Sequence, residues 1–538
     1  MTITDIERLK TQNANPRLGK LWKALQPFRS CISFMNTGAH PDDETTSMLA
    51  ALGLRDGVKL SQACANRGEG GQNAIGREIT KDLGCIRTRE MERSAEVINM
   101  THYWLSDTPD DKIFDFGFSK SGQETLDRWG EKRTLERFVL ILRRERPDII
   151  CPTFLDISGQ HGHHQAMTRS AFKAVILAAD PNAFPEQNLP VWQVKKLYLP
   201  AWSGAGDAYD DDVPPPPETT RIDGTGADPF SGADYAQIAQ YSRSFHQTQG
   251  MGRWVEPGQP NIWPLHLAWA LDSSLAPEKS VFEGLPATLS ELAKFASCPE
   301  LETILTIAQA SLDAAITAWP DTASIRTHAA SAFQQITRAK KNCPDAAQAE
   351  VIHRLSDKQR QIAKVLMLSR GIQCRVSISQ NEVRPGTSFI LSTNIHAPEC
   401  SVVAEIKLPE TWEASALGGS EHQISIPNNE PASDPYPDKW YPDRANARLH
   451  VILKWKEGDQ QIWVSIDPEE RLQILPAYSA TLSQSDAIVN ISNPADISVR
   501  ISQVHPADAT PAFTAPEGWT ADLSENNQIG RASCRERV

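Results

Sequence analysis

The chain has 538 residues and a formal net charge of −13, with 67 acidic residues against 54 basic ones. Single hydrophobic cores rarely grow beyond roughly 250–300 residues, so this length predicts several domains. The acidic balance, with no Lys/Arg block and no basic patch interleaved with aromatic residues, argues against nucleic acid as a partner.

The sequence also bears on the cellular compartment. Residues 1–7 lack the positive segment and the apolar run of a secretory signal, and no apolar run approaches the ~20 residues of a membrane span. We therefore predict a soluble, cytoplasmic protein. The nine cysteines are scattered without a Cys-x-x-Cys pair, which predicts reduced thiols rather than a thiolate zinc cage or a disulfide framework.

Helical and strand patterns alternate through the N-terminal half. An amphipathic helix is predicted over 16–26, ahead of the first apolar run. The predicted strands occupy 31–35, 58–65, 102–105, 149–154 and 196–200, and the predicted helices between them include 45–54, 86–99 and 165–179. This alternation predicts a parallel, doubly wound α/β sheet, in which ligands bind beyond the carboxyl ends of the strands.

The C-terminal half changes in character twice. Residues 298–370 are rich in alanine and leucine and predict about three helices. Beyond residue 373, short β-branched segments separated by Pro, Gly and Asn turns predict a β-sandwich of immunoglobulin-like type. The segment 408–414 recurs in similar form as 515–521, which predicts a second, partial sandwich.

These patterns divide the chain into six predicted segments. They are an N-terminal helical extension 1–29, the α/β domain 30–280, a helical spacer 281–372, a β-sandwich 373–470, a partial second sandwich 471–528 and a tail 529–538. The tail resembles the translation of a common sequencing adaptor, so we expect it to be foreign to the fold and the native C-terminus to be truncated.

The stretch 38–44, Gly-Ala-His-Pro-Asp-Asp-Glu, follows the first predicted strand. His40 and Asp43 are three residues apart there, so an imidazole and a carboxylate can converge on one ion. His164, in the cluster 161–164 after the strand 149–154, is the best candidate for a third ligand. The resulting His/Asp/His set would leave an open position for water.

Two further residues suit the chemistry of such a site. Asp42 lies beside a ligand but is free of the metal, which makes it the natural general base, and His161 can donate a proton or hold an oxyanion. A bound Zn²⁺ would lower the pKa of its water from about 15.7 to about 7. Taken singly, a His-Pro-Asp turn or a histidine-rich loop is more ordinary, but their joint occurrence at two strand ends favours a site.

A glycine-rich loop over 66–73 follows the second predicted strand. It lacks the Gly-Lys-Ser/Thr of a phosphate loop, and its glycines do not fit a dinucleotide fingerprint. Glycine nevertheless allows the backbone to approach a ligand closely.

Together, the motif Ala39-His-Pro-Asp-Asp-Glu44, the Arg67-Gly-Glu69 loop and the His161-x-x-His164 cluster resemble those of the LmbE-like, or phosphatidylinositol-glycan class L (PIG-L), zinc-dependent de-N-acetylases. The resemblance extends over roughly 30–270. It implies a Rossmann-like fold and one Zn²⁺ per chain, with Fe²⁺ as the alternative metal.

The resemblance also implies roles for individual residues. The implied metal ligands are His40, Asp43 and His164; the implied catalytic residues are Asp42 as base and His161 as acid or oxyanion stabiliser; and the implied substrate-binding residues are Arg67, Glu69 and Asp107. The family's usual second motif is His-Pro-Asp-His, whereas this chain has His-Gly-His-His. The third ligand therefore stays open between His163 and His164.

The leading prediction is a metal-dependent hydrolase that removes an N-acetyl group from an N-acetylglucosamine-type sugar conjugate and releases acetate. Its partner would be a small amino-sugar conjugate or a glycan. One alternative is an amidase acting on a larger acyl or thiol-conjugate amide, and another is a glycan-binding protein with a degenerate metal site. His246 lies in a segment, 235–252, that resembles a stretch of longer family members, and its role stays open.

Overall fold

The computed structural model describes residues 3–202, 213–272, 274–398 and 400–476, and the backbone of five strands between 479 and 534. The helices are α1 Asp5–Ala14, α2 Arg17–Leu25, α3 Thr46–Leu54, α4 Thr80–Val97, α5 Gly122–Trp129, α6 Glu131–Glu145, α7 Gly162–Ala179, α8 Tyr235–Arg243, α9 Leu289–Leu292, α10 Pro299–Thr317, α11 Thr322–Lys341 and α12 Asp345–Arg370.

The strands of the N-terminal half are β1 Ser33–Gly38, β2 Lys59–Cys64, β3 Met100–Trp104, β4 Ile149–Pro152, β5 Lys196–Pro200, β6 Thr220–Asp223 and β7 Ile262–Ala270. Those of the C-terminal half are β8 Gln373–Ile378, β9 Glu382–Val383, β10 Ser388–His396, β11 Val403–Lys407, β12 Glu413–Gly418, β13 Glu421–Ser425, β14 Lys439–Trp440, β15 His450–Glu457, β16 Gln460–Ile466, β17 Gln473–Ile474, β18 Ser479–Leu482, β19 Asp496–Val499, β20 Ile501–His505, β21 Trp519–Leu523 and β22 Gly530–Cys534.

The largest sheet has eight strands in the order β14-β3-β2-β1-β4-β5-β7-β6. Its centre, from β3 to β5, is parallel, and β14, β7 and β6 are antiparallel additions at the two edges. The chain passes from β1 to β2 and β3 on one side and later to β4 and β5 on the other. The order thus reverses between β1 and β4, the place where doubly wound sheets bind ligands. The predicted α/β class is confirmed.

Helices cover both faces of this sheet. One face packs against α3, α4 and α8, and the other packs against α5, α6 and α7. Every residue of β1 and of β4 is buried, as expected of central parallel strands with helices on either side. Within the described ranges, no helix has both the length and the apolar character needed to cross a bilayer.

The C-terminal half contains the predicted helices and antiparallel sheets. Helices α10, α11 and α12 fall within the stretch 298–370. After them come two antiparallel sheets, β12-β13-β10-β8 and β11-β15-β16, whose inward residues join one buried cluster that includes Leu391 and Leu453. Two sheets that share a core form a β-sandwich, so the predicted β-rich segment is confirmed. Its immunoglobulin-like type stays a prediction.

Some contacts join segments on either side of the predicted domain boundaries. The boundaries themselves stay predictions. Strand β14 lies inside the predicted sandwich segment 373–470, yet it pairs with Tyr103 and His102 at the edge of the large sheet. Of the repeat at 515–521 only the backbone of 519–521 is described, and of the tail 529–538 only that of 530–534. The remaining residues of both lie outside the described part.

Two helices begin earlier than the sequence pattern predicted. Helix α4 starts at Thr80 rather than near residue 86, and α7 starts at Gly162 rather than at 165. His161 has extended backbone angles and is the N-cap of α7. The histidine cluster therefore belongs to the first turn of a helix rather than to a loop.

Candidate active site

The turn after β1 folds Asp43 back against His40. One carboxylate oxygen of Asp43, Oδ2, accepts hydrogen bonds from the backbone N–H groups of Ala39 at 2.7 Å and His40 at 2.8 Å. A Cβ on Gly38 would lie 2.6 Å from the Cβ of Asp43, so this close approach requires glycine. His40 Nδ1 is consequently 3.6 Å from Asp43 Oδ2.

The first turn of α7 brings His164 to the same point. Its Nε2 lies 3.2 Å from His40 Nδ1 and 3.4 Å from Asp43 Oδ1. All three side chains are buried, and their potential ligand atoms lie within 4.8 Å of one another. Two imidazole nitrogens and one carboxylate oxygen at this separation fit a zinc-type ion that keeps a coordination position open. The predicted trio is thus assembled from the ends of two adjacent strands.

His163 lies on the opposite edge of the His40 ring. Its Nδ1 is 3.0 Å from His40 Nε2, and it forms a second potential ligand group with His40 and His161. The Asp115 carboxylate lies 3.6 Å from His163 and 3.8 Å from His40. A metal-bound histidine usually donates its other ring N–H to such an acceptor. In this structure that partner of His40 is His163, at hydrogen-bond distance, and the choice of His164 over His163 as the third ligand stays a prediction.

Asp42 stands beside this group with its backbone in the left-handed region, at φ 97°. Its carboxylate oxygen is 3.1 Å from Arg87 Nη2. Burial raises the pKa of Asp42 and outweighs the lowering by Arg87. Arg87 also donates to the carbonyl oxygens of Pro41 at 2.6 Å and Gly68 at 3.1 Å. A largely buried carboxylate with a raised pKa, next to a ligand but outside the ligand group, suits a proton acceptor.

His161 stacks on His40 with ring centroids 5.3 Å apart, and its Nε2 is 3.0 Å from the carbonyl oxygen of Gly117. Burial lowers the pKa of His161 to about 4, and the neighbouring His40 and His164 act in the same direction. The ring is consequently neutral at pH 7, and its one N–H is the group that donates to the Gly117 carbonyl oxygen.

The structure places Arg67 in the protein interior. Its guanidinium donates to Ser106 Oγ at 2.9 Å and to the carbonyl oxygen of Pro437 at 2.8 Å. It also lies over the rings of Trp104 and Tyr436, with its central carbon 4.1 Å and 4.6 Å from the ring centroids. Burial lowers the pKa of Arg67 to about 10. In this arrangement the side chain supports the glycine-rich loop, and its role in substrate binding stays a prediction.

The other two predicted substrate residues differ from each other. Glu69 is buried, and its Oε2 accepts the backbone N–H groups of Arg67 at 3.0 Å and Asp115 at 3.2 Å, which ties it to the candidate site. Asp107 is half exposed and lies 2.7 Å from Arg137 Nη2. Both assignments stay predictions.

Sequence reasoning missed Asp115 and Arg87. Asp115 lies in a loop with neither periodicity nor a motif, so no sequence signal pointed to it. Arg87 lies on α4, inside the predicted helix 86–99, where nothing in the sequence distinguished it from the other basic residues of that helix.

The fold and the side-chain cluster define an α/β protein with a candidate metal-binding active site at its topological switch point. Comparison with known proteins places this part of the chain in a family. Residues 35–175 match the family described as "PIG-L: GlcNAc-PI de-N-acetylase". This part of the chain is a PIG-L, or LmbE-like, family domain, as the motifs predicted.

Two relatives have names that state an activity. The chain is 28% identical over 181 residues to 1D-myo-inositol 2-acetamido-2-deoxy-alpha-D-glucopyranoside deacetylase 2 of Saccharopolyspora erythraea, covering 30% of this chain and 62% of that protein. It is 27% identical over 267 residues to the deacetylase of the same description from Streptomyces avermitilis, covering 42% of this chain and 86% of that protein. The match thus spans less than two thirds of the first relative.

Among solved structures, one match is the N,N'-diacetylchitobiose deacetylase of Pyrococcus horikoshii. The match covers 51% of this chain and 97% of that chain, with 15% sequence identity and a TM-score of 0.28. A second match is the A40926 pseudoaglycone deacetylase Dbv21. It covers 45% of this chain and 99% of that chain, with 13% sequence identity and a TM-score of 0.28.

Proposed function

We propose that this protein is a metal-dependent de-N-acetylase, which hydrolyses the acetamide of an N-acetylglucosamine-type sugar conjugate and releases acetate. The observation that carries the proposal is the buried group His40, Asp43 and His164 with Asp42 beside it, inside the segment that matches the family. The names of the two relatives, both deacetylases of an acetamido-glucopyranoside of inositol, support a substrate of this class.

His40, Asp43 and His164 would hold Zn²⁺, with Fe²⁺ as the alternative metal. When bound, the ion would supply Lewis acidity and lower the pKa of a water molecule to about 7. Asp43 and His164 are buried and the His40 side chain is only 11% exposed, which limits the access of bulk water to the ligand atoms.

Asp42 accepts the proton of the attacking water. Burial makes its carboxylate more basic than that of an ordinary aspartate, and the bond from Arg87 holds its orientation. His161 keeps both of its predicted roles, as acid or as oxyanion stabiliser. For the second, the one N–H of the neutral ring would have to turn from the Gly117 carbonyl oxygen to the oxygen of the acetamide, where negative charge develops. The protonated Asp42 is then available to protonate the leaving amine.

An acetate-release assay on purified protein tests the proposal. The first probe is N-acetylglucosaminyl inositol, within a panel of N-acetylglucosamine conjugates. We expect acetate release that a chelator abolishes and added Zn²⁺ restores, with about one zinc per chain by metal analysis. If metal-loaded protein releases no acetate from any acetamido sugar of the panel, the proposal is wrong.

A further inference from the structure

His246 follows α8 and packs against the turn that carries Asp42. Its Nε2 lies 2.8 Å from Glu44 Oε1, and neither side chain has any exposed surface. Burial by itself would lower the pKa of His246, but the adjacent Glu44 and Asp42 raise it overall. A buried pair of this kind contributes little net stability, because desolvation offsets much of its attraction. Net stability therefore does not explain why Glu44 and His246 are paired in the protein interior.

The second oxygen of the same carboxylate reaches the backbone of the proposed base. Glu44 Oε2 accepts the N–H of Asp42 at 3.1 Å. Asp42 has φ 97°, a conformation that costs a non-glycine residue on the order of 1–3 kcal/mol unless its surroundings hold it. Glu44 thus fixes the N–H of a strained residue by a hydrogen bond, and His246 in turn fixes the Glu44 carboxylate.

Two more residues complete this support. Ser94 Oγ donates to Glu44 Oε1 at 3.1 Å. Arg243, at the end of α8, lies 3.3 Å from the carbonyl oxygens of both Asp42 and Glu44. Groups outside the turn therefore contact the carbonyl oxygen of Asp42 and the Glu44 carboxylate that accepts its N–H.

We propose that the Glu44–His246 pair is a positioning device for Asp42, and that it holds the left-handed backbone that presents the Asp42 carboxylate beside the ligand group. The inference rests on the proposed function, since it concerns the base of that reaction. Neither His246 nor Glu44 belongs to a potential ligand group among the described residues. Loss of the pair should accordingly slow turnover without releasing the metal.

Two substitutions of His246 separate positioning from mere packing. The amide nitrogen of glutamine reaches the place of the imidazole Nε2, which contacts Glu44, whereas that of asparagine ends near the place of Nδ1. We expect His246→Asn to lower kcat by about 100-fold with little change in KM, because a shift of about 1 Å in a catalytic group costs that much. We expect His246→Gln to retain most of the activity.

The measurements are kcat and KM for acetate release from N-acetylglucosaminyl inositol, zinc content after dialysis, and the thermal midpoint. His328→Asn on α11 is the matched control and should behave as wild type. Ser94→Ala, a smaller change at the same carboxylate, should lower kcat by about tenfold and carries the test if His246→Asn does not fold.

If the wild type is active and the folded His246→Asn or Ser94→Ala variant has the same kcat, the positioning role is wrong. It is also wrong if zinc content falls in step with kcat, or if folded glutamine and asparagine variants lose activity equally. A wild type that is inactive on the whole panel overturns the proposed function and this inference together. The two failures are therefore distinguishable.

Discussion

At the residue scale, Asp42 and Asp43 are neighbours with opposite electrostatic surroundings. Burial alone would raise the pKa of Asp43, but His164 and His40 hold it well below its usual range, so this carboxylate stays ionised as a ligand must. Burial raises the pKa of Asp42, which suits a base. Two adjacent aspartates whose pKa values are driven apart are a pattern typical of divided catalytic roles.

The first prediction concerns Asp42. Asparagine has nearly the same size and tolerates a left-handed backbone, so Asp42→Asn removes the proton acceptor with little other change. We expect turnover to fall by about 10²–10⁴-fold while the zinc content stays at the wild-type level. Acetate release and metal analysis of one preparation check both parts. Wild-type turnover in this variant would rule out Asp42 as the base.

The second prediction separates the two candidate ligands. We expect His164→Ala to lose stoichiometric zinc, because it removes a group 3.2 Å from His40 Nδ1 and 3.4 Å from Asp43. We expect His163→Ala to weaken zinc affinity by only about 10–100-fold, as loss of a residue that orients a ligand does. Competition with a chelator measures both affinities, and the reverse order would make His163 the ligand.

At the element scale, a strap from the sandwich segment supports the loops beside the site. In this strap, residues 434–440, the hydroxyl of Tyr436 lies 3.4 Å from Glu69 Oε1, and the carbonyl oxygen of Asp438 accepts the N–H of Trp104 at 3.1 Å. The side chain of Arg67, in the glycine-rich loop, contacts Pro437 and Tyr436 of this strap. The C-terminal half thereby braces the carboxyl ends of β2 and β3.

The third prediction follows from the position of Arg67. Arg67→Met should leave buried acceptors on Ser106 and Pro437 without their donor, at about 1–3 kcal/mol for each unsatisfied group. We expect a lower free energy of unfolding in urea. Arg77→Met, at an exposed position near the loop, is the control and should change it little. If KM rises instead while stability is unchanged, Arg67 contacts the substrate as the motif predicted.

At the scale of the whole molecule, one buried ion pair joins the helical layer to the large sheet. Arg354 of α12 contacts both oxygens of Asp148, just before β4, at 2.6 Å and 2.7 Å, and it donates to the carbonyl oxygen of Cys31 at 2.9 Å. Ser33, the first residue of β1, donates its N–H to the same carboxylate at 2.9 Å. The pair thus ties the amino ends of the two strands that carry the site to α12.

The fourth prediction is the effect of breaking this pair. Arg354→Met leaves the buried Asp148 unpaired, which should lower the free energy of unfolding at pH 7 by about 3–5 kcal/mol. Urea unfolding measures the change. Arg338→Met, which removes an exposed pair with Glu300, is the control and should cost less than about 1 kcal/mol. Equal effects of the two variants would contradict the prediction.

The same pair predicts a pH dependence. Burial alone would raise the pKa of Asp148, but Arg354 and Ser33 hold it below its usual 3.8. Its contribution to stability is therefore present above about pH 3.8 and is lost as the pH falls through the lower folded-state pKa. In Arg354→Met burial should raise the pKa of Asp148 without a guanidinium to oppose it, so the loss of stability on acidification should shrink or reverse. Unfolding curves between pH 3 and 7 test the shift.

The sequence by itself determined the features that depend on neighbours in the chain. Strand and helix periodicity predicted the alternating α/β order, and His40, Asp42 and Asp43 follow directly from a strand end. His164 was also predictable, because the ends of parallel strands meet at one edge of the sheet. The start of α7 was missed, since the residues that begin it carry no apolar periodicity.

Only the tertiary structure decided which distant groups meet. The pairing of Glu44 with His246, the approach of Asp115 to His40 and the burial of Arg67 under Tyr436 each join residues separated by many positions in the chain. No local sequence pattern predicts such contacts. A single charged or polar residue gives the same pattern in the sequence whether its side chain is buried or exposed. They are set by how loops and helices pack over the sheet, and that packing places the base beside the ligands.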